Sequence, residues 1–345
     1  MRRANRRWVW AAAAALAPWA WFAVRNLSFV FDLVAIGLPV LYVLAAIGLG
    51  VAAAPRRRPE LAVGVVSCLL AGALAVVGPW RAEPVPAPVR GFRIVSANVR
   101  SGNPARERAV ADALAQRGDL VILIEAGRAK FTPPPGYTTL IRPEFSSQVI
   151  VARFPTRLTD RPPGWPGHLR AHRLEVDAPS GRVVVYLAHL VRPHLGPRRF
   201  FKIRSQMADQ RREREALLRS AKTETVPVIL VGDFNTSDRS RGYRRIAGRF
   251  RDAMRARWAG PTYIAPLWRP FLLRIDHVFV SNDWCAAHPR RFALHGSDHR
   301  GVAVTVGPCP TTGANVHLAS GVPGLRARTG HEKFTPRLHS RARPT

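Results

Sequence analysis

Cysteine is nearly absent from this 345-residue chain, which has three. Three exclude a disulfide-dense secreted scaffold and any four-cysteine zinc site. Acidic residues are also scarce, with 22 Asp plus Glu against 53 Lys plus Arg and a formal net charge of +31. Lysine is scarcer still, supplying only four of those 53. With Ala, Pro and Arg abundant, the usage is that of a GC-rich genome. The basicity therefore has two readings, compositional bias or a selected attraction to polyanions, because net charge speaks to association and not to fold. Residues 61–310 alone keep 39 basic and 19 acidic side chains, net +20. A 47% apolar content excludes a fully disordered polybasic protein. The length fits one large domain with appendages or two modest ones.

The apolar residues cluster near the start of the chain. Trp8–Val24, Leu27–Ala54 and Leu61–Trp80 are three long apolar runs, with Asp32 the one charge inside them. Each is within or close to the length that spans a bilayer. The first could be the core of a signal peptide, given the small residues Ala11–Ala15, but a second apolar run follows almost at once with no convincing cleavage site between. Three membrane helices over 1–80 are expected. Arg2, Arg3, Arg6 and Arg7 precede the first and Arg56, Arg57 and Arg58 separate the second from the third. Short basic flanks stay in the cytoplasm, so the N-terminus is expected inside and everything after Trp80 outside. Asp32 has two readings, a functional intramembrane carboxylate or an interface marker near one end of an overlong run. Trp19, Trp21 and Trp80 fit an interfacial aromatic belt.

Residues 81–90 contain EPVPAPV, whose alternating prolines favour an extended linker. From Gly91 to Pro310 the pattern becomes short β-rich runs: FRIVSANV, DLVILIEA, QVIVARF, HRLEVDA, RVVVYLAHL, PVILVGDFN, RIDHVFVS and HRGVAVTV. Helical periodicity is confined to Pro104–Arg117 and Phe200–Ala221. Many strands with few helices imply an α/β (α+β) domain of stacked sheets. Residues 311–345 are polar, aperiodic and basic, and read as a disordered tail.

Polar groups interrupt these strands at their ends. Asn98 ends the first, Glu125 the second, His189 follows VVVYLA, and Asp233 with Asn235 ends VILVG. Asp276 lies inside RIDHVFV, and Asp298 and His299 precede the last strand. Each is costly if buried alone, and convergence on one cleft would offset that cost. Asp233 and Asn235 would project to one side if their strand continued. Carboxylates such as Glu125 and Asp298 suit Mg²⁺, with Mn²⁺ as an alternative. Asp233 can orient or deprotonate a water, Asn235 can hold it, and His189 and His299 can donate to phosphoryl oxygens. Asp276 can fix a histidine tautomer. Phosphoryl transfer needs this combination.

SANV, ILIEA, VIVARFP, AHL, GDFN, RIDHVFV and GSDHRGV, in this order, resemble the endonuclease/exonuclease/phosphatase superfamily with its DNase I-like fold, over about Phe92–Val306. The resemblance implies a four-layer sandwich and a metal-dependent hydrolase of phosphate ester or phosphoanhydride bonds. It implies a metal site lined by Asn98, Glu125 and Asp298, a water positioned by Asp233 and Asn235, an Asp276–His299 pair and a phosphate contact from His189. Two departures touch the substrate side. Ile124 stands where the family often has glutamine, and Gln148 where a glycine is common. Arg192, Arg198, Arg199, Lys202 and Arg204 are a further candidate phosphate grip or a solvated helix face. His168, His172, His194, His277, His288 and His295 read as surface or packing residues. Cys285 and Cys309 could pair in an oxidising compartment, with Cys68 in the third apolar run.

Three membrane spans before an exported catalytic domain resemble VanJ-type glycopeptide-resistance proteins of actinobacteria. That layout implies a membrane partner and a lipid-linked cell-envelope phosphate as substrate, such as undecaprenyl pyrophosphate. Two other readings stay open: a membrane-tethered nuclease attracted to nucleic acid by the basic domain, and an inactive protein that binds anionic envelope polymers.

Overall fold

The computed structural model describes residues 29–53, 59–127, 129–141, 147–159, 161–194, 201–264 and 272–311, with scattered positions between 9 and 24. The chain divides into units 1–310 and 311–345. All but the first residue of the second unit, and with it the expected tail, lie outside the described residues.

The second and third apolar runs form helices α1, Phe29–Ala53, and α2, Pro59–Val77. They cross closely because α2 presents small residues. Leu38 and Tyr42 pack on Ala71 and Ala75, and a Cβ on Gly72 would come within 2.9 Å of that of Tyr42. Outside this seam the helices are apolar and exposed, with Leu41, Leu44 and Ile47 on α1 and Val66, Leu70 and Leu74 on α2. Among the described residues, Leu61–Trp80 is the one helix long and apolar enough to cross a membrane, and Val40–Val51 is a shorter apolar stretch. The expected first span is described in part, at residues 9, 12–13, 15–20 and 23–24, which are helical. Its described part packs on α2 through Ser67, whose hydroxyl donates to Ala15 O (2.6 Å) and accepts from Trp19 Nε1 (2.9 Å).

A single 3₁₀ turn, Gly78–Trp80, leads into the segment 81–90, which has no regular structure but is pinned to the domain. Glu83 N donates to Arg255 O (2.6 Å), Val89 N donates to Pro308 O (2.9 Å), and Trp80 meets Trp258 edge-on at 5.6 Å.

The domain is two six-stranded sheets face to face. The first contains β1 (Phe92–Asn98), β2 (Leu120–Ile124), β3 (Thr138–Ile141), β4 (Val149–Ala152), β11 (Trp284–Phe292) and β12 (Gly301–Pro308), in the order β11-β12-β1-β2-β4-β3. The second contains β5 (Thr156–Leu158), β6 (Arg170–Ala178), β7 (Gly181–His189), β8 (Val228–Asp233), β9 (Arg251–Asp252) and β10 (Asp276–Val280), in the order β5-β6-β7-β8-β10-β9. Each sheet holds one parallel pair, β1 with β2 and β7 with β8. A parallel pair needs a crossover, which α3 (Arg106–Leu114) and α4 (Ile203–Thr223) supply.

These strands are apolar on both faces because both are covered. Ile94, Ile122, Val304, Leu187, Val231 and Val278 fill the space between the sheets. Val95, Leu123 and Val151 pack outward on Ala109, Val110 and Ala113 of α3. On the other side Tyr186, Leu230 and Phe279 pack on Leu217 and Leu218 of α4 and on Tyr243 of a short helix α5, Arg241–Ala247. The result is the expected four-layer DNase I-like sandwich. Cys285 on β11 and Cys309 just after β12 form a disulfide.

One glycine brings the two central strands of the second sheet together. Gly232 pairs with Ala188 at φ +136°, and a Cβ there would collide with the Ala188 carbonyl oxygen. Gly232→Ala is therefore expected to destabilise the domain by about 2 kcal/mol or more. Thermal unfolding of the full chain in detergent checks this, and an unchanged midpoint would contradict it.

Candidate active site

The parallel pairs place their C-terminal ends at one edge, and the polar groups gather there. Asn98 closes β1, Glu125 follows β2, and His189 and Asp233 are register neighbours at the ends of β7 and β8. Antiparallel β10 starts opposite Asp233 with Asp276. Glu125 turns out of its strand at φ +56°. That conformation is costly for a side chain with a Cβ and is characteristic of sites where geometry matters more than local comfort.

Asn98 links the two halves. Its Nδ2 donates to Asp233 Oδ2 (2.9 Å) and to Glu125 Oε1 (3.3 Å), while its Oδ1 accepts from Arg100 N (3.0 Å). Glu125 Oε2 accepts from Ser101 N (2.8 Å). Burial alone would raise the Glu125 carboxyl, but the Ser101 amide, the His189 ring and Asn98 together outweigh it and hold its pKa below the ordinary value. His189 Nε2 lies 3.6 Å from Glu125 Oε1 and 4.0 Å from Asp233 Oδ2. Its Nδ1 is buried and has no hydrogen-bond partner among the described residues.

His299 Nδ1 meets Asp276 Oδ2 at 2.9 Å, and its Nε2 points toward Asp233, 3.8 Å from Oδ2. Burial would lower the His299 pKa, yet Asp276 and Asp233 reverse that and push it up to about 9. Burial and the neighbouring Asp233 raise the Asp276 carboxyl, with His299 opposing them. Ligand atoms of Asp233, Asp276 and His299 all lie within 4.8 Å of one another. Because the Asp276–His299 bond occupies one face of that triangle, we read it as an oriented dyad facing Asp233. Asp298 is partly exposed, and its carboxylate makes no hydrogen bond among the described residues.

Glu125 and Asn98, 3.3 Å apart, bring oxygen donors suited to a hard divalent cation beside the dyad. Glu125 offers a deprotonated carboxylate, Asp298 an unengaged one, and Asn98 Oδ1 a carbonyl with one lone pair free. Oxygen donors of this kind suit Mg²⁺ or Mn²⁺.

Asn235 departs from the sequence expectation. Strand β8 stops at Asp233, and Asn235 sits at φ +47°. Asp233 Oδ1 accepts from Asn235 N (2.9 Å), and Asn235 Nδ2 donates to Leu190 O (2.9 Å). The turn breaks the two-residue alternation, so its side chain braces the β7–β8 loops and does not run parallel to that of Asp233.

Several supporting residues carry no sequence signal. Thr262 Oγ1 accepts from the amides of Ile275 (3.0 Å) and Asp276 (3.1 Å), and Ser297 Oγ donates to Asn98 O (2.7 Å). Tyr263 lies 5.3 Å from the His299 ring and accepts from Arg192 (3.0 Å). Thr262 and Tyr263 belong to an aperiodic loop, where no pattern could mark them; Ser297 was findable as the neighbour of Asp298. Gln148 is fully buried, and its amide donates to Arg170 O (3.1 Å), opposite His189 in the β6–β7 register. Arg198 and Arg199 lie outside the described residues. His277 is a neutral core histidine, stacked on Phe279 and pushed down to about 4 by burial and Arg274.

Residues 95–299 match the endonuclease/exonuclease/phosphatase family, and the chain belongs to it. Its fold is similar to that of an endonuclease/exonuclease/phosphatase from Beutenbergia cavernae, at 22% identity, covering 64% of this chain and 72% of that one with a TM-score of 0.47. A 3′ phosphatase from Neisseria bound to a product DNA hairpin is 19% identical, with 62% and 98% covered and a TM-score of 0.48. The catalytic domain of human Nocturnin with a bound sulfate is 15% identical, with 65% and 96% covered and a TM-score of 0.48. No curated protein sequence matches the chain significantly. The family is one of nucleases and phosphatases, and hydrolysis of phosphate esters is the chemistry that membership supports.

Proposed function

We propose that the chain is a membrane-anchored, extracytoplasmic, Mg²⁺-dependent phosphohydrolase whose substrate is a lipid-linked cell-envelope pyrophosphate such as undecaprenyl pyrophosphate, with a role in glycopeptide resistance. The observation that carries the hydrolase reading is the meeting of Asn98, Glu125, His189, Asp233 and the Asp276–His299 dyad at one sheet edge.

Asp233 receives a proton from a water whose oxygen attacks phosphorus as the bond to the leaving phosphate breaks. Asn98 fixes the Asp233 carboxylate in position. His299, oriented by Asp276, donates to a phosphoryl oxygen, and His189 Nε2 approaches the same space from β7. Asn235 holds the loop after Asp233. A divalent ion held by Glu125, Asp298 and Asn98 would neutralise phosphoryl charge.

The membrane part of the reading is supported by the exposed apolar sides of α1 and α2, and the exported part by the disulfide, which persists in oxidising compartments. The three-span reading rests on the three apolar runs of residues 1–80, and the outside placement of the domain on the arginines that flank them. The lipid reading rests on the layout, apolar helices joined by segment 81–90 to a phosphohydrolase domain, and on Asp32 of α1, which accepts from the Arg241 amide (2.7 Å) at the start of a helix that follows the catalytic loop.

The test is phosphate release by the full chain in detergent with Mg²⁺, comparing a polyprenyl pyrophosphate with DNA and RNA. Release from the lipid without nucleic-acid cleavage is expected. Cleavage of DNA with an inert lipid would make the protein a tethered nuclease, and inactivity on all three would favour the polymer-binding reading.

A further inference from the structure

Five arginines meet at a cavity of about 380 Å³ where α4, α5 and the loop after β8 adjoin the start of α1. Arg204, Arg211 and Arg214 come from α4, and Arg241 and Arg245 from α5. Two carboxylates share the wall, Asp32 of α1 and Glu215. Asp32 accepts from the backbone amide of Arg241 (2.7 Å) and, among the described residues, from no guanidinium. Among the described residues, none of the five guanidiniums makes a hydrogen bond or an ion pair. The large basic recess lined by Arg157 and Arg173 is different in kind, because Glu175 and Glu224 pair with its arginines.

Arg214 has the most to gain from a ligand. It is 9% exposed, and its Nε is buried without a hydrogen-bond partner. A buried, unpaired donor of this kind is costly. Burial lowers its pKa, with Arg245 and Arg211 adding to the effect and Glu215 and Asp32 opposing it. The guanidinium also has room made for it: a Cβ on Gly242 would come within 2.6 Å of Arg214 Nη1. Excess positive charge around a forked buried donor is what a phosphate group pairs with, often through two parallel hydrogen bonds.

We propose that this cavity is a second phosphate site, beside the hydrolytic one, that takes a phosphate group from an anionic membrane lipid or as free orthophosphate. Gln210 lines the cavity and donates to Val191 O (3.0 Å) and Asn235 O (2.8 Å) in the loops that follow β7 and β8. Occupancy would tie α4 and α5 to the membrane end of α1 on the side of the domain where Asn235 braces the catalytic loop. The site does not depend on the hydrolase reading.

The experiment uses the full chain in detergent carrying Asp233→Asn, titrated with phosphatidic acid, with phosphatidylcholine and, separately, with inorganic phosphate, and read by native mass spectrometry. Saturable binding of phosphatidic acid or phosphate is expected, weakened about tenfold or more by Arg214→Gln and by the exposed pair Arg211→Ala/Arg245→Ala. Binding of phosphatidic acid alone identifies the lipid headgroup as the source, and binding of phosphate alone identifies the free ion. No binding, or binding that both sets of substitutions leave unchanged, overturns the proposal. With Asp233 intact, the Arg211→Ala/Arg245→Ala chain should hydrolyse a soluble ester within about twofold of the native rate. A chain that binds phosphate at the arginines yet hydrolyses nothing would defeat the enzymatic reading and leave this site standing.

Discussion

Asp233→Asn is expected to lower phosphate release by about 10³-fold, the scale of losing a positioned general base. Asp233 is where three restraints meet. Asn98 donates to one carboxylate oxygen, the Asn235 amide donates to the other, and His299 Nε2 faces the first from 3.8 Å. The amide of asparagine keeps the volume and one acceptor but cannot take a proton from water. One of the two accepted hydrogen bonds is lost, so the unfolding midpoint should fall modestly while the rate collapses. A variant retaining a tenth or more of the native rate would remove Asp233 from the reaction.

Arg274→Met is expected to have the largest effect on stability, about 3–5 kcal/mol, because it strands two buried carboxylates. The Arg274 side chain is fully buried, with Nε 3.0 Å from Asp238 and Nη2 2.6 Å from Asp252 and 3.1 Å from the Tyr243 hydroxyl. Burial would raise the Asp252 carboxyl, but Arg274 and His277 outweigh it and hold the pKa down. A lowered carboxyl contributes stability above its unfolded pKa and loses it as pH falls through the folded value. Without Arg274 the sign reverses, and Asp252 costs stability once it ionises. The gap between variant and native chain should thus widen from acidic to neutral pH, and Asp252→Asn added to Arg274→Met should narrow it. Thermal unfolding in detergent at several pH values reads both effects; a pH-independent gap would mean that lost packing, not stranded charge, is responsible.

Much of the domain was legible because its central strands are buried on both faces and so read as uninterrupted apolar runs. FRIVSAN, VILVGD and GVAVTVGP became β1, β8 and β12. The edges were not legible. Strand β11 is WCAAHPRRF, half-buried to exposed from Ala287 onward and bulged between Ala287 and Arg290, with His288 at φ +52°. Such an edge needs no apolar alternation. The short strands β3, β5 and β9 were missed for the same reason. The site was readable where a polar group ends an apolar run, and the Asp276–His299 contact follows from the two being carried to one edge. The strand alternation that would set Asn235 beside Asp233 does not apply, because β8 ends at Asp233 and a turn follows. Thr262 was invisible because it holds the site from a loop, through a hydroxyl bonded to backbone amides. The five arginines of α4 and α5 were scattered among many others, and only folding shows which lack a partner among the described residues.

The most direct test of metal-assisted hydrolysis at this sheet edge is phosphate release by the full chain in ¹⁸O-labelled water, with Mg²⁺ and again after EDTA, beside Asp233→Asn. The expected result is solvent oxygen in the phosphate product, release that stops on chelation and returns with Mg²⁺, and almost none from the variant. Release that persists in EDTA, or that Asp233→Asn leaves unchanged, or a product phosphate without solvent oxygen, would contradict it.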